Sequence, residues 1–336
     1  MKRYKMDEAN ARICGETIRT AQGLRLMHSG TFTEFHGELS KISIEVIGTA
    51  EEDTDSYHAY LGVFINESKA PEKILRVKNG FHVYDVCERR EKEELTVKIV
   101  KLTELQYGGA EVVAVLADGE IAPTENRDRK LMFIGDSITA GYGVNGENSD
   151  PVFTTETENV TMAYPYLTAD RLGADAWFVC WSGGGLISRW IPPEQEEPLT
   201  DILLPELFEE GTEKYFSPDM ILVNLGTNDA SYTRGDLKKE ETFAGKYVRF
   251  ISNISTVYPD ASILIQYGLM EDSLTHTIER VVERCKNQNI RCSFLELPAM
   301  KEEDGLGTNG HPSSLTHEKM AQFLEGKIRS IAGWKD

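Results

Sequence analysis

Residues 131–336 alternate between short, mostly apolar runs and segments of helix length, and this alternation constrains the fold more than any other feature of the sequence. Runs of four to eight apolar residues separated by helical segments are typical of parallel strands that are buried on both faces. The runs are "LMFIG" (131–135), "AWFVC" (176–180), "MILVNLG" (220–226), "SILIQY" (262–267) and "CSFLEL" (292–297). The pattern predicts an α/β domain with a five-stranded parallel sheet.

The first third of the chain has a different period. In "KISIEVIG" the apolar residues Ile42, Ile44 and Val46 fall on one face, and "ELTVKIVKL" alternates in the same way. Short runs of period two, separated by turn residues, predict a β-sandwich of roughly eight strands. The polar, proline-containing stretch "ADGEIAPTENRDRK" separates the two patterns. We therefore predict a sandwich domain over residues 1–120, a linker over 121–130 and the α/β domain over 131–336.

The charge balance excludes two classes of partner. The 336-residue chain has 36 Lys and Arg against 55 Asp and Glu, a net charge of −19. Binding to nucleic acid requires cations that displace counterions from phosphates, and anionic membrane surfaces repel the same charge. We predict no nucleic-acid partner and no membrane partner, whereas a neutral substrate such as a sugar is compatible with the composition.

Cysteine usage and the N-terminal segment bear on the compartment. The five cysteines (Cys14, Cys87, Cys180, Cys285 and Cys292) are odd in number and scattered, and they form no Cys-x-x-Cys pair. This spacing argues against a disulfide framework and against a zinc site. The segment "MKRYKMDEANARICGETIRT" lacks the apolar core of a secretory signal, and no run of eighteen apolar residues occurs. We expect reduced thiols and a cytoplasmic location.

Small polar motifs follow three successive predicted strands, and a fourth precedes the last helix. They are "GDS" (135–137), "WSGGG" (181–185), "LGTND" (225–229) and "GHPSSLTH" (310–317). Each has an ordinary structural explanation: Ser137 as a helix N-cap, the glycines as a tight turn, Asn228 as a loop cap and His311 as a surface residue. The carboxyl ends of parallel strands meet at one edge of a sheet, where active sites form.

Together, these residues match the requirements of acyl transfer. That chemistry needs a hydroxyl nucleophile, a base for its proton and hydrogen-bond donors aimed at the developing oxyanion. Ser137 supplies the hydroxyl and a backbone N–H at a helix start. His311 supplies a base whose ordinary pKa is close to neutral. A glycine N–H of "SGGG" and the Asn228 amide supply further donors.

The four motifs resemble the GDSL-type, or SGNH, hydrolase superfamily, and the resemblance covers residues 131 to about 331. It implies a flavodoxin-like α/β fold with a catalytic serine and histidine and a three-donor oxyanion hole. The matching positions are Ser137, Gly183 (with Gly184 as the alternative register), Asn228 and His311.

A narrower resemblance extends over nearly the whole chain. "FIGDSITAGYG", "HPSSLTHEKMA" and a sandwich that ends near "KLTELQYGG" look like carbohydrate esterase family 2. That family joins an N-terminal jelly-roll-like domain to the hydrolase domain and removes O-acetyl groups from xylan, mannan and related saccharides. The resemblance implies an acetylated oligosaccharide as substrate and no metal or organic cofactor. It does not address the oligomeric state.

One position departs from the superfamily. An acidic residue usually lies two or three positions before the catalytic histidine, but here those positions hold Asn309 and Thr308. A backbone carbonyl near Asn309 could orient His311 and give a Ser–His dyad, or Asp304 could fold back to it. We favour the dyad, because an ordered carbonyl also fixes the histidine tautomer.

Other polar and aromatic residues near the motifs receive structural interpretations. We expect His317 to be structural or to lie at a helix start, and Asp136 and Asp229 to hold loops through backbone hydrogen bonds. Trp181 and Trp190 are candidate sugar contacts, with ordinary packing as the alternative.

Two rival functions remain. An apolar acyl groove would indicate a lysophospholipase or a thioesterase. The absent acid would also suit a decayed hydrolase that survives as a sugar-binding protein.

Overall fold

The computed structural model describes residues 1–49, 56–150, 152–197 and 216–335. It contains an antiparallel sheet between Lys2 and Pro123 and a parallel sheet between Arg129 and Glu296. The predicted architecture, a β-sandwich followed by an α/β domain, is confirmed.

The antiparallel sheet is built around two long strands that pair with each other. Its ten strands in the described residues are β1 (Lys2–Lys5), β2 (Arg12–Cys14), β3 (Thr17–Arg19), β4 (Leu24–Leu26), β5 (Phe32–Thr49), β6 (Tyr60–Ile65), β7 (Lys73–Arg76), β8 (Gly80–Lys101), β9 (Gly109–Ala117) and β10 (Ala122–Pro123). They follow the order β3-β4-β9-β5-β8-β6-β7, while β1 pairs with β9, and β2 and β10 pair with β5. Ile42, Ile44 and Val46 are fully buried in the core, as their spacing predicts.

The strand count differs from the prediction of roughly eight, and so does the division into strands. "GFHVYDV" and "ELTVKIVKL" were expected as separate strands, but both belong to β8. The polar residues between them lie on the exposed part of β8, so the apolar period breaks while the strand continues. Register shifts between Leu39 and Lys41 and between Ile42 and Ser43 mark irregularities in the β5–β8 pairing. Bulges of this kind bend a long antiparallel pair.

The parallel sheet has the five strands that the apolar runs predict. They are β11 (Arg129–Gly135), β12 (Ala174–Cys180), β13 (Met220–Asn224), β14 (Ser262–Tyr267) and β15 (Cys292–Glu296). Their order in the sheet is β12-β11-β13-β14-β15, and the pairings are parallel. This is the order of flavodoxin-like folds, which confirms the predicted class.

Helices cover both faces of the parallel sheet. In the described residues they are α1 (Ser137–Ala140), α2 (Tyr164–Arg171), α3 (Thr227–Thr233), α4 (Leu237–Val257), α5 (Thr275–Asn287) and α6 (Ser314–Ala332). Met132 and Ile134 of β11 pack with α4 and α5, whereas Leu131 and Phe133 pack with α2 and α6. Burial on both faces explains why β11 reads as a continuous apolar run.

The antiparallel part packs against β12, the edge strand of the parallel sheet. Arg12 of β2 binds Asp175 of β12 at 2.5 Å and Glu34 of β5 at 2.5 Å, and the Arg12 side chain is only 4% exposed. Within the predicted linker, β10 pairs with β5 and β11 begins at Arg129. The chain thus enters the parallel sheet directly from the antiparallel one, and the domain boundaries stay predictions.

All five cysteines are buried and free. The cytoplasmic location stays a prediction. Within the described ranges, no helix combines the length and the apolar character needed to cross a membrane.

We expect Arg12→Leu to lower the free energy of unfolding in urea by ~3 kcal/mol, because it leaves two carboxylates without their cation inside the interface. As a control, Arg19 binds Glu8 on the surface and is 46% exposed. Arg19→Leu should cost less than ~1 kcal/mol. Equal losses in the two variants would contradict a stabilising role for the Arg12 cluster.

Candidate active site

The register of the parallel sheet brings three of the predicted motifs to one edge. Gly135, the last residue of β11, lies opposite Cys180 at the end of β12 and opposite Asn224 at the end of β13. The loops that follow these three strands therefore begin side by side. They carry Ser137, the "WSGGG" turn and Asn228.

Ser137 is the first residue of α1, directly after a tight strand-to-helix turn. A Cβ on Gly135 would lie 2.0 Å from Thr139 Oγ1, so the turn requires glycine at this position. The helix N-cap is Asp136, whose Oδ1 accepts the Ile138 N–H at 3.1 Å. Ser137 is thus not the cap, and its hydroxyl remains available for another partner.

That partner is His311. Its Nε2 lies 2.9 Å from Ser137 Oγ, and its Nδ1 lies 3.2 Å from the carbonyl oxygen of Thr308. The carbonyl can only accept a hydrogen bond, so it selects the tautomer with the proton on Nδ1. Nε2 is then free to accept the proton of Ser137. Burial lowers the pKa of His311 to about 4, against smaller opposing contributions from the Thr308 and Asn309 backbone.

The two residues proposed to orient His311 do not do so through their side chains. Asn309 has a φ of 55° and donates its amide to the Tyr142 hydroxyl at 3.2 Å. The Asp304 carboxylate binds Lys319 at 2.5 Å. Among the described residues, no carboxylate is hydrogen-bonded to His311. The contact to Nδ1 comes from the Thr308 carbonyl, one residue before Asn309.

The turn that holds this carbonyl is fixed to the loop after α1. The Thr308 N–H donates to the Gly143 carbonyl at 3.0 Å, and the Gly307 N–H donates to the His311 carbonyl at 2.8 Å. A Cβ on Gly143 would lie 2.7 Å from the Thr308 Cβ, so the two loops touch closely. This contact between Thr308 and Gly143 therefore fixes the turn before His311 against the loop that follows the helix of Ser137.

His317 lies in the first turns of α6 and is fully buried. Its Nδ1 accepts the backbone N–H of Tyr164 at 3.1 Å, so it ties α6 to α2. Burial lowers the pKa of His317 to about 3. This contact agrees with the structural role expected from the sequence.

The glycine turn presents one of its two candidate amides. The Gly184 N–H donates to the Trp181 carbonyl at 3.0 Å and is therefore already used. Gly183 has a φ of +76°, and nothing lies within 4 Å of the position of a Cβ. Gly183 is therefore the better candidate of the two for an oxyanion donor.

Asn228, in the first turn of α3, lies beside the glycine turn. Its amide nitrogen is 2.8 Å from the Gly184 carbonyl and 3.2 Å from Asp136 Oδ2. Both hydrogens have acceptors here, so donation to an oxyanion requires exchange of the longer bond to Asp136. The oxyanion roles of Ser137, Gly183, Gly184 and Asn228 stay predictions.

Two buried aspartates hold the loops, as expected from the sequence. Asp229 accepts the N–H groups of Leu186, Ile187 and Ser188 at 2.7 to 3.3 Å. Burial raises the pKa of Asp229 to about 6, against the effect of those three bonds. Burial also raises the pKa of Asp136 to about 7. Neither aspartate contacts His311, so both act on loop geometry.

The two tryptophans differ in exposure. Trp181 is half-buried and packs against the core on the α4 and α5 face. The Trp190 side chain belongs to a residue that is 54% exposed, and the backbone N–H of Trp190 donates to the Gly183 carbonyl at 2.8 Å. Of the pair, Trp190 is the more exposed, and its backbone is bonded to the glycine turn.

Two residues at the site were not found from the sequence. Tyr142 places its ring 4.5 Å from the His311 ring, measured between centroids. Glu104, which lies between β8 and β9, accepts the Ser182 N–H at 2.6 Å. A lone acid in a β-rich segment gives no local signal of such a contact.

In the part of the chain that the structure describes, no three His, Cys, Asp or Glu side chains are grouped so as to hold a metal ion.

The model of the GDSL-like lipase/acylhydrolase family matches residues 133–318, more than half of the chain. That span contains Ser137, the glycine turn, Asn228 and His311.

Two curated proteins match over most of this chain. Cellulase/esterase CelE of Acetivibrio thermocellus is 33% identical over 222 residues, which are 64% of this chain and 27% of CelE. An acetylxylan esterase/glucomannan deacetylase of Cellvibrio japonicus is 26% identical over 268 residues, which are 76% of this chain and 69% of that protein. The chain thus spans only about a quarter of the length of CelE.

A solved structure shares the complete fold. It is a family two carbohydrate esterase from Clostridium thermocellum in complex with cellohexaose, with a TM-score of 0.85 and 24% identity. The superposition covers 97% of this chain and 100% of the other. Both sheets therefore occur in the same arrangement in that protein.

The low pKa of His311 predicts how Ser137 reacts as the pH changes. Labelling of Ser137 by a serine-directed phosphonate needs neutral His311, so the rate should fall with decreasing pH and be half-maximal near pH 4. An unperturbed histidine would give a midpoint of about 6.5. Mass spectrometry of the labelled peptide measures the rate.

Two controls make this result specific. Asp136→Asn keeps an N-cap residue at the start of α1 and should leave the midpoint near pH 4. Circular dichroism must show that the fold persists, because the unfolded chain protonates its histidines at about pH 6.5 and stability falls below that pH. A midpoint at 6.5 or higher in the folded protein would contradict the burial argument.

Proposed function

The chain belongs to the GDSL-like lipase/acylhydrolase family, and from that premise we propose that it is a serine esterase that removes O-acetyl groups from hemicellulose-type oligosaccharides. The observation that carries the proposal is the 2.9 Å contact between Ser137 Oγ and His311 Nε2. The named activities of the two curated proteins, esterase and acetylxylan esterase/glucomannan deacetylase, support the reaction and the substrate class.

In the first half of the reaction, Ser137 attacks the acetyl carbonyl while His311 takes its proton at Nε2. The negative charge that develops on the carbonyl oxygen is met by the N–H groups of Ser137 and Gly183 and by the Asn228 amide. Each such donor is worth about 3 kcal/mol in the barrier. The sugar alcohol leaves with the proton from His311, and an acetyl-serine remains.

In the second half, water releases acetate. His311 takes a proton from the water, which attacks the acetyl-serine, and the same donors hold the second oxyanion. His311 then returns the proton to Ser137 Oγ. One ester and one water are consumed, and one alcohol, one acetate and one proton are formed.

The proposed catalytic unit is a Ser–His dyad oriented by a backbone carbonyl. Thr308 O fixes the tautomer of His311, and its partial negative charge faces Nδ1–H when the ring becomes an imidazolium. A carbonyl stabilises that cation less than a carboxylate does. Burial favours the neutral base that starts each cycle.

Trp190 supports a saccharide as the substrate. Trp190 is 54% exposed, and its backbone N–H donates to the carbonyl of Gly183 in the glycine turn, so an aromatic side chain on which a sugar could stack belongs to the segment that holds this turn. Aromatic faces are suited to the apolar face of a pyranose ring. A neutral oligosaccharide also avoids repulsion by a chain of net charge −19.

The reaction is tested by incubating the protein with acetylated xylo- and manno-oligosaccharides and following acetate release by mass spectrometry. We expect release by the wild type, a loss of at least roughly a thousandfold in Ser137→Ala, and a loss of about a hundredfold in Asn228→Ala. A Ser137→Ala variant that still released acetate would refute the mechanism.

Substrate range separates this proposal from the two rivals. p-Nitrophenyl acetate should be hydrolysed much faster than the dodecanoate. A preference for the long chain would instead indicate a lipase or thioesterase. Saccharide binding without hydrolysis of any ester would indicate a sugar-binding protein.

Trp190→Ala should raise KM for acetylated xylo-oligosaccharides roughly tenfold, through loss of ~1.4 kcal/mol of stacking. KM for p-nitrophenyl acetate should stay the same, because this ester carries no saccharide to stack on the indole. Trp190→Phe is the matched control and should retain most of the affinity. An equal rise in KM for both substrates would place the effect in the glycine turn instead.

A further inference from the structure

The carboxylate of Glu104 joins the antiparallel part of the fold to the glycine turn. Glu104 lies in the segment between β8 and β9, and it is 1% exposed. Its Oε1 accepts the Ser182 N–H at 2.6 Å, and its Oε2 accepts the Ser182 hydroxyl. The Glu104 side chain, from the loop between β8 and β9, therefore binds both the backbone N–H and the hydroxyl of Ser182 in the glycine turn.

Ser182 directly precedes Gly183, whose N–H is the proposed oxyanion donor. The backbone of Gly183 has no Cβ and a positive φ, so its own conformational preferences fix its direction weakly. Hydrogen bonds on either side must fix it instead. On the C-terminal side, the Gly183 carbonyl accepts the Trp190 N–H. On the N-terminal side, Glu104 holds Ser182, and the N–H of Trp181 donates to the Gly135 carbonyl at 3.1 Å.

The charges around Glu104 show that this contact is costly to build. Lys101 is fully buried, Glu158 is 1% exposed, and the Glu104 N–H donates to Glu158 Oε2 at 3.4 Å. Burial, and then the charge of Glu104, raise the pKa of Glu158 well above its usual range. Burial also raises the pKa of Glu104, and the hydrogen bonds from Ser182 and the charge of Lys101 oppose that shift.

A buried ionic cluster is weak evidence for stability, because apolar residues of the same volume stabilise a core as well or better.

The cluster is also fastened to the turn after α1. The Val160 N–H donates to the Leu102 carbonyl at 3.1 Å, and the Asn159 N–H donates to the Gly141 carbonyl at 3.2 Å. The loop of Glu104 is thereby held in a fixed place relative to Ser137.

We propose that Glu104 is a positioning residue that aims the Gly183 N–H at the oxyanion by holding Ser182. The inference rests on the proposed esterase function. It gives the antiparallel domain a part in the reaction, since that domain supplies the group that sets the oxyanion hole. Glu104 acts through Ser182 and does not touch the substrate.

β12 offers a matched control, because the antiparallel part binds it at both ends. At the amino end, Arg12 binds Asp175 inside the interface. At the carboxyl end, Glu104 binds the turn that follows Cys180. Asp175→Ala therefore weakens the same interface without touching the glycine turn.

The test compares kcat and KM for an acetylated xylo-oligosaccharide in the full-length wild type and in variants. Glu104→Ala should lower kcat by about ten- to a hundredfold, with KM within about twofold, because a displaced donor weakens only transition-state binding. The oxyanion forms in both halves of the reaction, so kcat falls whichever half is slower. Glu104→Gln should recover most of that loss, since its amide accepts the Ser182 N–H and donates to the hydroxyl.

Asp175→Ala should lower the melting temperature but leave kcat within about twofold of the wild type. A wild-type kcat in Glu104→Ala would overturn the inference. So would a loss confined to KM, or an equal loss of kcat in Asp175→Ala. If Glu104→Ala does not fold, Ser182→Ala removes one of the two bonds, and an unchanged kcat in that variant would overturn the inference as well.

A boronic acid separates this inference from the proposed function. Its tetrahedral adduct with Ser137 places an oxygen in the oxyanion hole, whatever ester the enzyme uses. The affinity for the boronic acid should fall in Glu104→Ala by about the same factor as kcat/KM and should stay unchanged in Asp175→Ala. A wild type that binds the boronic acid but hydrolyses no acetyl ester would contradict the function and leave the role of Glu104 testable.

Discussion

The pairing of β11 with β12 on one side and β13 on the other sets the distances between the groups at the site. Because Gly135 is in register with Cys180 and Asn224, the three loops that follow these strands begin at the same edge of the sheet. Each apolar side chain of β11 is packed into the core on one face of the sheet. A slip of the strand by one residue would therefore move every apolar side chain to the core on the opposite face. The position of Ser137 relative to the glycine turn is thus a consequence of core packing rather than of loop conformation.

Burial has opposite effects on the charged groups around Ser137, and both effects favour its chemistry. It keeps His311 neutral and therefore ready to accept a proton. It also raises the pKa values of Asp136 and Glu158, which reduces the negative charge near the place where an oxyanion would form. For the proposed dyad, which has no acid, fewer anions near the site mean less repulsion of the oxyanion. Burial raises the pKa of Glu104 in the same direction, and the nearby charge of Lys101 opposes that shift.

How far the sequence predicts this structure depends on where the information lies. The five parallel strands were predictable because each is buried on both faces and reads as an apolar run. The length of β8 was not, since its exposed middle looks like a polar loop while its backbone pairing continues. The sequence analysis favoured a backbone carbonyl near Asn309 as the group that orients His311, and the structure places the Thr308 carbonyl there. The sequence could not say which carbonyl, because every residue has one. Glu104 was missed because its partner is 78 residues away.

The edge position of β12 explains why the two sheets occur together. An edge strand has unpaired backbone groups that favour aggregation unless something covers them. Here the antiparallel part covers β12: the Cys14 thiol contacts the Ala176 carbonyl at 3.5 Å, and a Cβ on Gly30 would lie 2.2 Å from the Phe178 ring. The same strand leads into the glycine turn of the candidate site. Covering the edge therefore also holds the start of that turn, so protection of the sheet and the proposed organisation of the oxyanion hole depend on one interface.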